Sequence, residues 1–130
     1  MRGQGPIVAA VSLGGIIGAC LRYGLGTIWT SPFPWATMTI NVIGCGAMGA
    51  LIVLVTEVWP SQKLIRPFLG TGVLGGFTTF STYASDGVSM LDRGQLLQGL
   101  LYLLVTPLLA LAAVFIAFAL TTRIVDRRIQ

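Results

Sequence analysis

Four long apolar runs separated by short polar punctuation set the architecture of this chain. The first run extends from about Ile7 to Ile28 and holds a single charge, Arg22. Thr30 to Trp35 (TSPFPW) ends it, with two prolines stopping the helix and Trp29 and Trp35 suited to the headgroup level of a bilayer. A second run covers about Ala36 to Val58, followed by a polar connection marked by Glu57, Trp59, Pro60, Lys63 and Arg66. A third covers about Pro67 to Leu91, the turn Asp92-Arg93-Gly94 closes it, and a fourth continues from about Leu96 to Leu120. Each run reaches the roughly 20 residues a helix needs to cross a membrane. The pattern predicts an all-α membrane protein, one domain over residues 1–130 with four transmembrane helices.

Glycines are placed with helical spacing inside these runs. Gly14 and Gly18 lie four apart with Gly15 beside them, and Gly44, Gly46 and Gly49 line the second run. Such small faces let helices approach closely.

The third run departs from a lipid-facing pattern. Thr71 to Asp86 reads TGVLGGFTTFSTYASD, in which Gly75-Gly76 precedes a run, Phe77 to Tyr83, that interleaves five hydroxyl groups with three aromatic rings. A helix bathed in lipid has no use for that many hydroxyls. The glycine pair is expected to loosen the helix and free backbone carbonyls, which a bilayer tolerates only where protein or a water-filled cavity receives them. The third helix is therefore predicted to break near its middle, and this stretch is the candidate site.

Composition narrows the function classes. The chain is 55% apolar and 9% charged, against roughly 25% charged in soluble domains, and its mean hydropathy is +0.86. No soluble domain remains to house an enzyme, and no nucleophile, base and orienting group converge. The net charge of +4 comes mostly from basic residues at segment ends, with no basic stripe for nucleic acid. Cys20 and Cys45 sit inside apolar runs without a CxxC pair or any histidine, which excludes a zinc-type site and reads both as small packing residues. Arg2 ahead of an apolar run, with Ile17-Gly18-Ala19-Cys20 after it, imitates a lipoprotein signal. Three further spans with no exported domain to deliver argue against that. With four spans, Arg2, Lys63, Arg66, Arg123, Arg127 and Arg128 share one side and only Arg22 and Arg93 the other. Both termini are thus expected in the cytoplasm.

Within this frame a few residues carry chemistry. Arg22, near the outer end of the first span, either snorkels to anchor the helix or lines an aqueous entrance that draws anions. Asn41 inside a span either bonds another helix or offers its amide donors to a passing polar species. Phe80 and Tyr83 share a face if the helix has resumed by then, among Thr78, Thr79, Ser81 and Thr82. Ring edges are positive. Together with hydroxyl and amide donors they make a polar lining without fixed charge, suited to a small anion that must bind and also leave. Tyr102 and Thr106 stack four apart on the fourth helix, extending that hydroxyl track, and Pro107 frees the carbonyl near Leu103. Asp86 is open between capping, pairing with Arg22 or a backbone group, and solvation.

These residues resemble the Fluc fluoride channels, also called the CrcB family, over nearly the whole chain. The resemblance rests on GxxGAxxRY from Gly15 to Tyr23, Asn41 followed by Gly44, TGxxGGxTTFSTY from Thr71 to Tyr83, and the Asp92-Arg93-Gly94 turn. It implies four-span subunits in an antiparallel dimer with two pores, exporting fluoride passively across the cytoplasmic membrane and so relieving fluoride toxicity. It also implies that Phe80 and Tyr83 present ring edges to the ion, that Asn41 is the amide donor beside them, and that Ser81, Thr82, Thr106 and Tyr102 supply hydroxyls. Arg22 falls in the vestibule, and a structural sodium ion is held centrally by the carbonyls of Gly75 and Thr78. Two departures stand out: Tyr83 replaces the usual Phe and adds a hydroxyl that either donates to the ion or blocks its path, and Ala110 replaces a small hydroxyl residue. The uneven flanking charge leaves both a homodimer and a heterodimer with an oppositely oriented paralogue open.

Two other classes compete. A proton-coupled exporter of the small multidrug type needs a membrane-embedded carboxylate, but from Ile7 to Val58 the only acid is Glu57, at a span end. A non-transporting assembly protein explains the glycine faces and leaves the hydroxyl and aromatic run unaccounted for.

Overall fold

Helices form where the apolar runs predict them, with prolines at their starts. In the computed structural model, which describes residues 3–129, α1 spans Gly5–Ile28 with a proline in its first turn, and α2 spans Trp35–Val53 with Pro34 at its N-cap. The second rod runs on as a π-helical Leu54–Val58. The third, α3, combines a π-helical Arg66–Leu74 with a single α-helical turn, Gly75–Phe77. After two extended residues α4 covers Phe80–Asp92, and α5 covers Leu96–Ile129. Among the described residues, three stretches are long and apolar enough to cross a membrane individually: Gly5–Ile28, Trp35–Val58 and Leu96–Ile129.

Helix α5 outlasts its apolar run. The polar residues after Leu120 keep the helical conformation, and Arg127 and Arg128 in the last turn suit the negative end of the helix dipole. The turn before α5 uses Gly94 at φ 78°. Its N–H donates to the Leu91 carbonyl, and the Gln95 N–H donates to that of Met90, closing α4 with a Schellman motif that the missing Cβ permits.

Packing is organised by pairs. α1 lies chiefly on α3, α2 on α5, and α4 on α5. At the α1–α3 crossing the backbones nearly touch, so a Cβ on Gly14 would sit 2.9 Å from the Gly72 Cα and also collide with the Phe68 carbonyl. The glycine pair Gly75-Gly76 does not break the helix, contrary to expectation. It stays helical, with Gly76 pressed on the Gly15 backbone of α1, and the break falls on Thr78 and Thr79.

A small core of Met38, Met90 and Tyr102 is flanked by Phe33, Val42, Tyr83 and Leu103. Phe33 meets Tyr102 edge to face, centroids 5.6 Å apart. Large apolar side chains such as Ile16, Leu104 and Phe115 point outward and are exposed, an exterior that suits lipid rather than water.

Candidate functional site

The site is built on the two extended residues between α3 and α4. Thr78 (φ −74°, ψ 154°) and Thr79 (φ −148°, ψ 124°) leave the helix, and their backbone groups need new partners. Asn41 of α2 supplies them for Thr79: its Oδ1 accepts from the Thr79 N–H at 2.8 Å and its Nδ2 donates to the Thr79 carbonyl at 2.8 Å. The amide thus clips both polar groups of one peptide residue, as a neighbouring strand would. This bond to a neighbouring element uses one N–H of the Asn41 amide and leaves the other outside that pair.

Restarting the helix takes a cap. The Thr79 hydroxyl accepts from the Thr82 N–H at 3.1 Å and donates to the Thr82 hydroxyl, also at 3.1 Å, the N-cap arrangement expected of a threonine. Ser81 lies 3.4 Å from the same oxygen. Ser81 and Thr82 are exposed on this chain and turn to Thr79. Thr78 keeps its N–H and hydroxyl on the Leu74 carbonyl, while its own carbonyl accepts from the Arg22 guanidinium at 3.2 Å. Arg22 therefore ties α1 to the break.

The helix has resumed at Phe80, so Phe80 and Tyr83 lie one turn apart with ring centroids 5.6 Å apart and planes tilted 52°. Phe80 is 79% exposed. Tyr83 packs inward on Tyr102, centroids 5.5 Å apart, and its hydroxyl donates to the Leu103 carbonyl. That carbonyl has no helical donor because Pro107, four residues on, lacks an N–H. The extra hydroxyl of Tyr83 is thereby committed to α5.

A cavity of about 410 Å³ opens between these elements. Asn41 and Cys45 line it from α2, Thr78, Thr79, Phe80 and Tyr83 from the break and α4, and Thr106, Pro107 and Ala110 from α5. Thr106 is 2% exposed and Tyr102 1% exposed, and among the described residues neither hydroxyl has a hydrogen-bond partner. A buried hydroxyl left unpaired costs about 1–3 kcal/mol. Of the two, Thr106 belongs to the cavity lining, while Tyr102 lies outside it, against Tyr83.

The structure brings Asn41, Phe80, Tyr83, Thr78 and Thr106 onto one cavity, with Tyr102 directly behind Tyr83. Two participants, Cys45 at the cavity and Thr37, were not singled out from the sequence, and Thr79 was named there only as one hydroxyl of the run. Cys45 lines the cavity rather than merely packing helices, a placement its spacing of four from Asn41 signals. Thr79 is the hinge residue itself. Thr37, buried at the start of α2, donates to the Asp86 carboxylate at 2.8 Å, so Asp86 is held by a hydroxyl and not by Arg22; nothing local in the sequence pairs residues so far apart.

Comparison with known proteins adds an independent finding. The family model for "CrcB-like protein, Camphor Resistance (CrcB)" matches residues 9–118. The chain is 50% identical over 130 residues to "Fluoride-specific ion channel FluC 1" of Streptomyces coelicolor, covering 98% of this chain and 84% of that protein. It is 53% identical over 111 residues to "Fluoride-specific ion channel FluC 2" of Nocardia farcinica, covering 83% and 79% respectively. It is 42% identical over 118 residues to "Fluoride-specific ion channel FluC" of Rhodospirillum centenum, covering 88% and 94%.

Proposed function

The chain belongs to the CrcB-like family, and from that premise we infer that it is a fluoride-specific ion channel, a multi-pass membrane protein that passes fluoride. The ion path is the cavity at the break, and fluoride leaves the cell through it passively, which relieves fluoride toxicity. The observation that carries this is the cavity lining itself, where Asn41, Thr78, Thr79 and Thr106 meet the rings of Phe80 and Tyr83. A small anion accepts from amide and hydroxyl donors of this kind. Asn41 offers the amide N–H not used on Thr79, Phe80 and Tyr83 offer ring edges, and Tyr102 continues the hydroxyls behind them. Ser81 and Thr82 are exposed on this chain, as Phe80 is, and supply further hydroxyls beside the break. Arg22, fixed near the break, adds positive potential at the vestibule.

In this reading α3 and α4 together make one broken span, giving four, and the exposed flank carrying Phe80 is covered by a second subunit inverted relative to the first. Two such interfaces of one dimer give two pores. The partner is either an identical chain or an oppositely oriented paralogue, because the flanking basic residues divide six against two between the two faces.

A structural sodium ion fits the donor set at the break. The N–H that would close the Gly75 carbonyl in a continuous helix is that of Thr79, which is turned to Asn41, and the one for Thr78 is that of Thr82, which is taken by the Thr79 hydroxyl. Both carbonyls are hard oxygen donors released from the helix, and Gly75 and Thr78 would hold the ion through them. Bound there, the cation would supply charge that fixes the break. The Arg22 guanidinium uses one lone pair of the Thr78 oxygen and leaves the other.

Liposomes containing only this purified chain test the function. Fast fluoride efflux with little chloride efflux is the expected result. Efflux that appears only with a co-reconstituted paralogue replaces the homodimer, and silence in both cases overturns the channel. Tyr83→Phe is expected to conduct within about threefold of wild type, since the ring edge is kept. It should nevertheless melt earlier, losing about 1 kcal/mol because the Leu103 carbonyl loses its donor. Efflux and detergent melting on the same preparation check both halves.

A further inference from the structure

We propose that the groove between the first turns of α1 and the start of α3 binds one anionic phospholipid, with Lys63 and Arg66 holding its headgroup. The groove shares no lining residue with the cavity at the break. Its volume is about 400 Å³, with Ala9, Ala10 and Leu13 of α1 on one side and Leu64, Ile65 and Phe68 on the other. Two alanines in succession leave a trough on α1. Across it, Leu64 and Phe68 lie one helical turn apart, the Phe68 N–H donating to the Leu64 carbonyl. From Pro6, also on the lining, to Leu13 the trough extends about 10 Å along α1 at 1.5 Å per residue.

The ligand class follows from the lining and from the charge beside it. Every lining side chain is apolar, so the body of the ligand is a hydrocarbon chain. Lys63 and Arg66 bracket Leu64 and Ile65 in sequence and are exposed. They share a connection with Trp59, whose exposed indole suits headgroup depth. No carboxylate offsets them at the groove. Helix α1 has no acidic residue in its first turn, and Glu57 and Asp126, the acids at this end of the bundle, line a different cavity between α2 and α5. Two exposed bases over an apolar trough at headgroup level match a phosphodiester joined to acyl chains. A zwitterionic headgroup brings its own ammonium to the same bases and gains less.

The test uses the full chain, stripped of lipid in neutral detergent and titrated with phosphatidylglycerol or with phosphatidylcholine of the same acyl chains. Native mass spectrometry counts the bound lipid. One phosphatidylglycerol per chain is expected, held at least about tenfold more tightly than phosphatidylcholine. Lys63→Gln/Arg66→Gln should bring that ratio to within about twofold of one. Arg123→Gln/Arg127→Gln/Arg128→Gln should keep the preference, since those bases lie at the end of α5. Ala9→Phe fills the trough from an exposed position and should weaken both lipids at least about fivefold. Equal binding of the two lipids by wild type, or a preference that survives Lys63→Gln/Arg66→Gln, overturns the site. Displacement of the lipid by glycerol phosphate at comparable concentration also overturns it, because a free anion would then suffice. If Ala9→Phe leaves both lipids bound and instead splits the assembly on size exclusion, the groove is a contact between copies of the chain and the lipid site falls. Should Ala9→Phe fail to fold, the Lys63→Gln/Arg66→Gln pair, which changes exposed side chains only, decides alone.

Discussion

Asn41→Asp is expected to lower fluoride efflux by about three orders of magnitude, with the chain still extractable and assembled in detergent. Two effects act in the same direction. A carboxylate accepts from the Thr79 N–H as the amide does, but it has no proton to donate to the Thr79 carbonyl, so half of the clip at 2.8 Å is lost and two oxygens face each other. The larger effect is the charge. A fixed anion about 4 Å from a passing anion costs about 4 kcal/mol at an effective dielectric of 20, and each ~1.4 kcal/mol is a factor of ten in rate. Asn41→Leu separates the two, since it removes the clip and adds no charge. Efflux from Asn41→Leu should fall less than from Asn41→Asp in the same liposome assay. Wild-type efflux from Asn41→Asp would mean that the amide only fastens the break and that the ion passes elsewhere.

That experiment addresses a choice the sequence left open. An amide in an apolar run announces that it needs a partner, but the partner is the backbone of Thr79, distant in sequence, and nothing local names it. The same holds for Arg22, whose bond to the Thr78 carbonyl needs α1 and α3 to cross at Gly14 and Gly72. Features governed by short spacing were legible: Tyr102 above Thr106, Phe80 beside Tyr83, and Pro107 releasing the Leu103 carbonyl. The donor that takes up this carbonyl, the Tyr83 hydroxyl, was not, because it depends on how α4 leans on α5. Local propensity also misplaced the cause of the interruption. Glycine was the expected breaker, yet tight packing on α1 keeps Gly75 and Gly76 helical, and the threonines, one clipped by Asn41 and capping the next helix, are where the chain extends. Tertiary contact decided between two plausible breakers three residues apart.

Phe80→Ile is the change expected to have the largest effect on flux for the smallest effect on the fold. The side chain is 79% exposed on this chain, so replacing it removes little surface buried within the subunit, and the stability of the subunit's own fold should move by no more than about 0.5 kcal/mol. If Phe80 merely faced lipid, isoleucine would serve as well, because both are apolar and the bilayer does not distinguish ring from branch. A place on the cavity wall has the opposite consequence. Phe80 lines the cavity beside Asn41 and Thr106, and what its ring brings there is a positive edge that an aliphatic side chain lacks. A dehydrated anion with one fewer electrostatic partner in the cavity loses on the order of 3 kcal/mol or more, by analogy with the loss of one donor from a preorganised anion site. Fluoride efflux should therefore drop by at least about 100-fold while assembly, read by size exclusion, stays unchanged. Efflux at the wild-type rate would detach the ring edge from the ion path, and would leave Thr106 and Asn41 as the groups that replace water around the ion.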